Sequence, residues 1–427
     1  MSSIFRIPIP IRGIVMCACI GAAPLAVGQP PTNWLETRIA IEELAEAGDY
    51  AAALALADRL LELAAAESEN DDLRVAEAHL LLARIYSESN DHSSAEAAAL
   101  AAIDIYEADV GRLSPILIDS FIALGDNYNE AGDYAAAISA WGEARTIGRR
   151  NYGLLNSEQI PIIDDMTEAA RQLGQIETAR DLQREALVLI ERVHGPDSLE
   201  AMDARLKYAS WLQGYAQFFG EELRLYYEIE RTIAEHYDND PILITRVMRE
   251  RARTFRESDN GDPLGIGGLR ESLRLLQEMP DPPTLLTAEL LVDIGDWNVE
   301  FGRTSGAEYL EAWRLLGTLE GGDELRQQWF RDLNEIEMGS MSRRYLSDDP
   351  THPQGQLTIS FNVAVNGHTR DVEITDANPP MLADSRIASA ARSIFNDALF
   401  RPSIADGEFI PASRIYRLDF RYQPPEE

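Results

Sequence analysis

Between residues 33 and 335 the apolar positions recur at intervals of three, four and seven, the spacing that gathers side chains on one face of an α-helix. The clearest stretch is FIALGDNYNEAGDYAAAISAWGEA. Phe121, Leu124, Gly125 and Tyr128 form one stripe, Ala137, Trp141 and Ala144 a second, and Gly132 marks a turn between them. Small residues at Gly125, Ala137 and Ala144 let two antiparallel helices approach closely, while Leu124, Tyr128 and Trp141 fill the space between. A helical hairpin is predicted. The hexapeptide at its bend, GDYAAA, also stands at 48–53, and NDHSSA at 90–95 and GQIETA at 174–179 continue the series at an interval of 42 residues.

On that interval the second copy offers Leu82, Ala83, Tyr86, Ala95, Ala99 and Ala102; the fourth offers Met166, Ala170, Ala179 and Ala186. The first keeps Leu44, Ala53 and Ala57. A fifth, starting at Lys207, keeps Ala209 and Leu212 but has Glu221 where alanine is expected. GDPLGIGG at 261–268 interrupts the pattern, and DIGDWNVEFGRTSGAEYLEAWRLL at 293–316 restores it through Ile294, Gly295, Gly302 and Ala307. These residues resemble the tetratricopeptide repeat (TPR), in the long-period form seen in kinesin light chains and many bacterial proteins. The resemblance implies a right-handed solenoid over 33–335, in which each hairpin buries its apolar face against its neighbours. It also implies a concave groove, lined by the first helices, that holds an extended segment of another protein. In that register Arg84, Asp126 and Asn129 face the groove, although simply solvated polar positions would carry the same residue types.

The Pro, Gly and Ser content of MGSMSRRYLSDDPTHPQG predicts a linker over 336–354. Beyond it the period becomes two: Leu357, Ile359, Phe361, Val363 and Val365 point one way, Thr358, Ser360 and Asn362 the other. Asn366 and Gly367 supply a hairpin turn, and Val372 and Ile374 continue on the returning strand. After DANPP a helical stripe runs through Ile387, Ala391, Ile394, Phe395 and Ala398 to about Leu399, with Pro402 as its stop. Past the turn at Asp406 and Gly407, Tyr416, Leu418, Phe420 and Tyr422 alternate with Arg417, Asp419 and Arg421 as a last strand. Strand, strand, helix, strand over 355–424 predicts a small α+β unit behind a mostly α chain.

That order, together with GQLTISFNVAVNGHTRDVEI, the alanine-rich helix, the FRP triplet at 400–402, the DG turn and the ending LDFRY, resembles the C-terminal domain of TonB. TonB is the periplasmic energy transducer that reaches outer-membrane receptors. The resemblance implies that an extended partner segment is gripped by adding it as a strand to the sheet edge. Carried over, the edge consists of Arg414, Tyr416, Arg417, Leu418, Asp419, Phe420, Arg421 and Tyr422. An edge strand leaves backbone donors and acceptors for a guest. The charges of Arg417, Asp419 and Arg421 equally suit an edge blunted against aggregation.

At 427 residues the chain has room for two or three domains with proper cores. Residues 1–28 read as an export signal: Arg6 and Arg12, then GIVMCACIGAAPLAVG, with Ala26 and Gly28 ahead of a cut at Gln29. Its short apolar run containing Pro24 suits cleavage better than a membrane span, and retention as an anchor is the alternative. Cys17 and Cys19, the two cysteines of the chain, both lie in that segment, so a cleaved chain carries no disulfide or thiolate site. The formal charge of −34 repels nucleic acid, and membrane contact is expected only if the first segment is retained.

Candidate chemistry is sparse. His79, His92, His194, His236, His352 and His368 show no ligand spacing. SDNGD at 258–262 departs from the calcium-loop pattern, and GIGG at 265–268 lacks the Lys-Ser/Thr of a phosphate loop. With no G-x-S-x-G elbow either, the expectation is a non-enzyme with no catalytic residue, metal or cofactor. The expected function is that of a periplasmic interaction scaffold, one partner segment on the final strand and another in the groove. Its expected partners are envelope proteins, outer-membrane TonB-dependent receptors among them. The long proline-rich spacer of the transducer is missing, so a membrane-anchored energy transducer supporting transport through those receptors stands as the alternative.

Overall fold

In the computed structural model the described residues are 33–67, 73–257, 263–302, 306–339, 346–347 and 352–422. The export segment with Cys17 and Cys19, the acidic stretch 258–262, most of the expected linker and residues 423–424 lie outside them. The chain divides into two compact units, one ending at Trp211 and the other beginning at Leu212. The boundary therefore falls inside the expected repeat array and not at its end.

The first unit consists of helices α1 (Trp34–Glu46), α2 (Tyr50–Leu54), α3 (Ala57–Glu67), α4 (Leu73–Glu88), α5 (His92–Val110), α6 (Leu117–Glu130), α7 (Tyr134–Tyr152), α8 (Gln159–Gln172), α9 (Ile176–His194) and α10 (Leu199–Leu212). They pair as antiparallel hairpins. The recurring hexapeptide has a backbone cause: Gly48, Asn90, Gly132 and Gly174 all take left-handed φ values, +76°, +63°, +81° and +72°. At each, the next residue's N–H turns back to a carbonyl of the first helix, as in Asp133 N to Tyr128 O at 2.8 Å, closing the helix end. The second helix then starts on an aspartate cap: Asp49, Asp91 and Asp133 accept from the amides of Ala52, Ser94 and Ala136 at 3.1, 3.2 and 3.1 Å. Asparagine serves at position 90 because its short polar side chain tolerates that conformation. In the first copy the second helix is broken, α2 ending at Leu54 and α3 starting at Ala57.

Packing follows the predicted stripes. Ala137, Trp141, Ala144, Met166, Ala170, Ala179 and Ala186 share one buried cluster, with Phe121 and Tyr128 packed against it.

The second unit continues with α11 (Phe219–His236), α12 (Pro241–Glu257), α13 (Pro263–Gln277), α14 (Thr284–Glu300), α15 (Ala307–Leu316) and α16 (Gly322–Phe330). GDPLGIGG was expected to interrupt the repeat, yet Gly265, Gly267 and Gly268 lie inside α13. A Cβ on Gly265 would lie 2.3 Å from the ring of Trp297, so glycine here marks close helix packing and not a break.

Among the described residues this unit is completed by β1 (Glu335–Glu337), β2 (Gln354–Val363), β3 (Thr369–Asn378), a short 3-10 turn (Pro380–Asp384), α17 (Arg386–Asp397), β4 (Leu399–Phe400), β5 (Ser403–Ala405), β6 (Glu408–Ile410) and β7 (Ala412–Arg421). The main sheet is antiparallel in the order β3-β2-β7. Leu357, Ile359, Phe361 and Val363 are buried against Ile387, Ala391 and Phe395 of α17, while the other face of the sheet is polar.

Four local expectations change. Val365 is 51 % exposed, because β2 ends at Val363 and the chain has already entered the turn. That turn is closed by Gly367 N to Ala364 O at 2.9 Å with φ +84° at Gly367, a three-residue loop in place of the tighter Asn-Gly form. α17 stops at Asp397, ahead of Leu399 and Pro402, because Ala398 is extended and Leu399–Phe400 enters β4. The expected linker begins as structure: β1 pairs with β4, Glu335 opposite Phe400, so the unit is richer than strand, strand, helix, strand.

Candidate functional site

Of the places that bring polar groups together among the described residues, three bear on the residues singled out by the sequence or on their counterparts. The first is β7, which lies at one edge of the main sheet and pairs with β2 without a bulge from Gln354↔Arg421 to Val363↔Ala412. Tyr422 N donates to Pro353 O at 3.2 Å, on the inner side; Arg421 O accepts from Ser347 N at 2.9 Å. Antiparallel alternation then directs the N–H and C=O groups of Ser413, Ile415, Arg417 and Asp419 away from β2, toward the edge that no strand covers among the described residues. The opposite edge, β3, is irregular, with two register shifts against β2 and a left-handed residue at Asp371, a shape that resists strand addition.

Side chains along β7 differ in how far they are committed. Asp419 accepts from Gln356 Nε2, and Ser413 Oγ donates to Asn362 Oδ1, both at 2.6 Å. Arg414 donates to Arg331 O at 2.6 Å and Ser403 Oγ at 2.7 Å, and Arg421 to His352 O at 3.2 Å. Tyr416, Leu418 and Phe420 pack partly buried on the core, and Tyr422 is buried there. Two outward side chains remain: Ile415, 72 % exposed, and Arg417, which has no bonded partner among the described residues.

The second place lies on the first helices of the first unit. Asp126 on α6 accepts from Trp141 Nε1 at 3.0 Å. Asp126 and Asp165, one helix pair further on α8, are open to solvent and yet crowded by neighbouring helices. Loss of water raises the Asp126 carboxyl above its ordinary value, against the Trp141 hydrogen bond, and Glu130 adds to the rise while Arg84 opposes it. Asp165 is pushed up to about 6, by loss of water first and by the charges of Asp126 and Asp164 next. Arg84 thus acts on Asp126 through space, whereas Asn129 is half-buried and gives its carbonyl to the turn at Gly132.

Their neighbour Asn127 was not singled out by the sequence, and it is the buried one. Asn127 Oδ1 accepts from Ser87 Oγ and meets His92 Nδ1, both at 3.0 Å, and Asn127 Nδ2 donates to the His92 carbonyl at 3.0 Å. This side chain joins the second hairpin to the third.

The third place is a buried ion pair that sequence reasoning also missed. Arg401, the centre of the FRP triplet, forks onto Asp296 of α14, Nε to Oδ1 at 2.9 Å and Nη2 to Oδ2 at 2.7 Å. Tyr309 Oη donates to Asp296 Oδ1 at 2.7 Å, and Arg401 Nη1 reaches Trp329 O at 3.2 Å. Burial works against the guanidinium charge, and Asp296 outweighs it, holding Arg401 above its ordinary value. The triplet therefore pins the sheet module to the last helical hairpin. A Gly-Asp pair in an otherwise apolar helix, at 295–296 as at 125–126, was the available signal.

Among the described residues no group of three or more His, Asp, Glu or Cys is placed to hold a metal, and no helix is long and apolar enough to cross a membrane.

A tetratricopeptide-repeat family profile matches residues 163–200, the stretch from α8 to the start of α10. No curated protein matches the chain. Among solved structures the chain is similar to TPR-like repeats of kinesin-light-chain type from Podosopora anserina, with 15% identity over 47% of this chain and 95% of that one and a TM-score of 0.39. BtubC from P. vanneervenii gives 15% identity over 69% and 96%, with a TM-score of 0.34. A signal-transduction ATPase with a tetratricopeptide repeat sensor from Pyrococcus horikoshii gives 14% identity over 67% and 41%, with a TM-score of 0.41. Residues 163–200 thus match a tetratricopeptide repeat within a run of helical hairpins, and a small strand-containing module follows in the chain.

Proposed function

We propose that this chain is an exported, non-enzymatic protein-interaction scaffold that adds an extended partner segment to β7 and receives a second segment against the first helices of its repeats. The observation carrying the reading is the unbulged β7 ladder, whose outward backbone groups from Ser413 to Asp419 run along a regular edge. A guest strand there satisfies its own backbone and acquires register from the host. Its inward side chains would meet the half-buried Tyr416, Leu418 and Phe420, and its outward ones Ile415 and Arg417. The resemblance of the final segment's sequence to the C-terminal domain of TonB is what suggests an envelope partner, with outer-membrane receptors as the class to test first.

Alternation of the ladder selects the informative variant. Asp419→Pro removes an outward N–H and leaves the β2 ladder intact, whereas Leu418→Pro would break that ladder and unfold the sheet. With synthetic periplasmic segments of outer-membrane receptors as probes, Asp419→Pro is expected to lower affinity at least about tenfold, the loss of one or two hydrogen bonds, while Asp419→Ala changes it little. Equal binding by the proline variant would remove β7 from the mechanism. For export, intact-mass measurement of the chain recovered from the periplasm is expected to give a terminus at or near Gln29. An intact Met1 terminus in the membrane fraction would favour the anchored transducer.

A further inference from the structure

Gly125 with Asp126 and Gly295 with Asp296 occupy the same place in their hairpins. At both, the missing Cβ makes room for an aromatic ring of the second helix: a Cβ would lie 2.5 Å from Trp141 at Gly125 and 2.4 Å from Tyr309 at Gly295. Three residues beyond each ring comes a buried alanine, Ala144 and Ala312. The polar tip of each ring donates to the adjacent aspartate, Trp141 Nε1 to Asp126 Oδ1 at 3.0 Å and Tyr309 Oη to Asp296 Oδ1 at 2.7 Å. Glycine, aspartate and aromatic thus build one slot twice, each time with a carboxylate oriented by a ring donor.

The two slots differ in what fills them. Asp296 holds Arg401 through two hydrogen bonds, one to each oxygen, and the chain supplies that arginine itself. Asp126 has the Trp141 bond and stays open to solvent, with no ion pair at its second oxygen among the described residues. Asp165 stands beside it on α8, also exposed and without a bonded partner among the described residues. The charge of Asp126 adds to the rise at Asp165, while Arg84 acts on Asp126 and Lys207 on Asp165 only through space, so neither carboxylate has a cation hydrogen-bonded to it among the described residues.

We propose that Asp126 is the receptor for an arginine side chain on an extended segment of a partner protein, held as Asp296 holds Arg401, with Asp165 facing the outer edge of the same guanidinium. Arginine fits where lysine does not: its planar fork spans both carboxylate oxygens, and an ammonium offers only a point charge. The filled slot in the second unit fixes the chemistry of the guest for the empty one. This inference rests on the reading of the first helices as a binding surface and names what that surface takes.

The probe is a capped heptapeptide with the sequence of residues 398–404, ALFRPSI, which carries arginine in the setting that already satisfies Asp296. Its twins replace the arginine with lysine or glutamine. The readout on the full chain is the indole N–H resonance of Trp141, identified by its absence in Trp141→Phe, because that proton points at Asp126. The arginine peptide is expected to shift this resonance, the lysine peptide to bind at least about fivefold more weakly and the glutamine peptide not at all. Asp126→Asn, which keeps the shape, is expected to lose at least about tenfold in affinity. Equal binding of the arginine and lysine peptides overturns the proposal, as does an indole that stays still while other first-helix resonances move; both leave the binding surface standing. If no peptide of any charge moves any resonance of α4, α6, α8 or α10, the reading of those helices as a binding surface fails with it.

Discussion

Asp296→Asn is expected to destabilise the second unit by about 3–5 kcal/mol, the cost of leaving a buried charge without its counter-ion. The substitution keeps the volume and removes only the negative charge, so Arg401, 14 % exposed at its side chain, would remain in place with no carboxylate to meet it. Tyr309 Oη would keep an acceptor, and Arg401 Nη1 would keep the Trp329 carbonyl. The loss therefore reports the ion pair and little else. Urea unfolding followed by the fluorescence of the chain measures it, and hydrogen exchange at β4 and α14 localises it. Replacing all three, Asp296→Leu with Arg401→Met and Tyr309→Phe, is expected to recover most of the stability, because a desolvated polar cluster gains little over a well-packed apolar contact and no buried hydroxyl is left unpaired. A single variant as stable as the parent would mean that solvent reaches the pair. It would also mean that the FRP triplet does not hold the sheet module to the last hairpin.

Trp141→Ala should cost the first unit about 3–5 kcal/mol, the range for truncating a large buried aromatic. Trp141 is 1 % exposed, its ring lies against Gly125, and it shares one buried cluster with Ala137 on its own helix and Met166 on the next hairpin. Each hairpin is stable only through its neighbours, so the loss should spread as faster hydrogen exchange across α6, α7 and α8. Trp141→Phe should lose less in stability while still freeing Asp126 from its hydrogen bond. Gly125→Ala tests the same contact from the other side and is expected to cost about 1–3 kcal/mol through overpacking. Unchanged exchange in α8 after Trp141→Ala would show that the hairpins do not lean on one another here.

Much of this was legible in the order of residues, and particular positions show why. The stripe of Leu124, Ala137, Trp141 and Ala144 predicts a hairpin because burial in a helix repeats with the turn of the helix. The 42-residue interval predicts its recurrence, down to the left-handed turn that Gly48, Asn90, Gly132 and Gly174 share. Alternation from Leu357 to Val363 predicts a strand with one buried face for the same kind of reason. That β7, Ala412–Arg421, lies at one side of the main sheet follows from the order β3-β2-β7 and from no local pattern.

What stayed hidden depends on partners distant in the chain. Gly265 reads as part of a break because glycine is a poor helix former, and only the ring of Trp297 explains why glycine is required at that place inside α13. Asp126 and Asn127 are adjacent polar residues of similar size, yet one faces solvent and the other lies buried against Ser87 and His92. Residues 335–337 lie next to a Ser- and Pro-rich stretch and become a strand because Leu399–Phe400 supplies the missing ladder.

The sequence by itself determined the local grammar of this protein: where helices and strands run, where they turn, and which face of each is apolar, because those properties depend on residues a few positions apart. The tertiary structure decided which polar groups became neighbours. It brought Arg401 onto Asp296 across 105 positions of sequence, left the matching Asp126 slot open, and turned the backbone of β7 outward. No period in the chain encodes such meetings, since they are set by how whole elements pack.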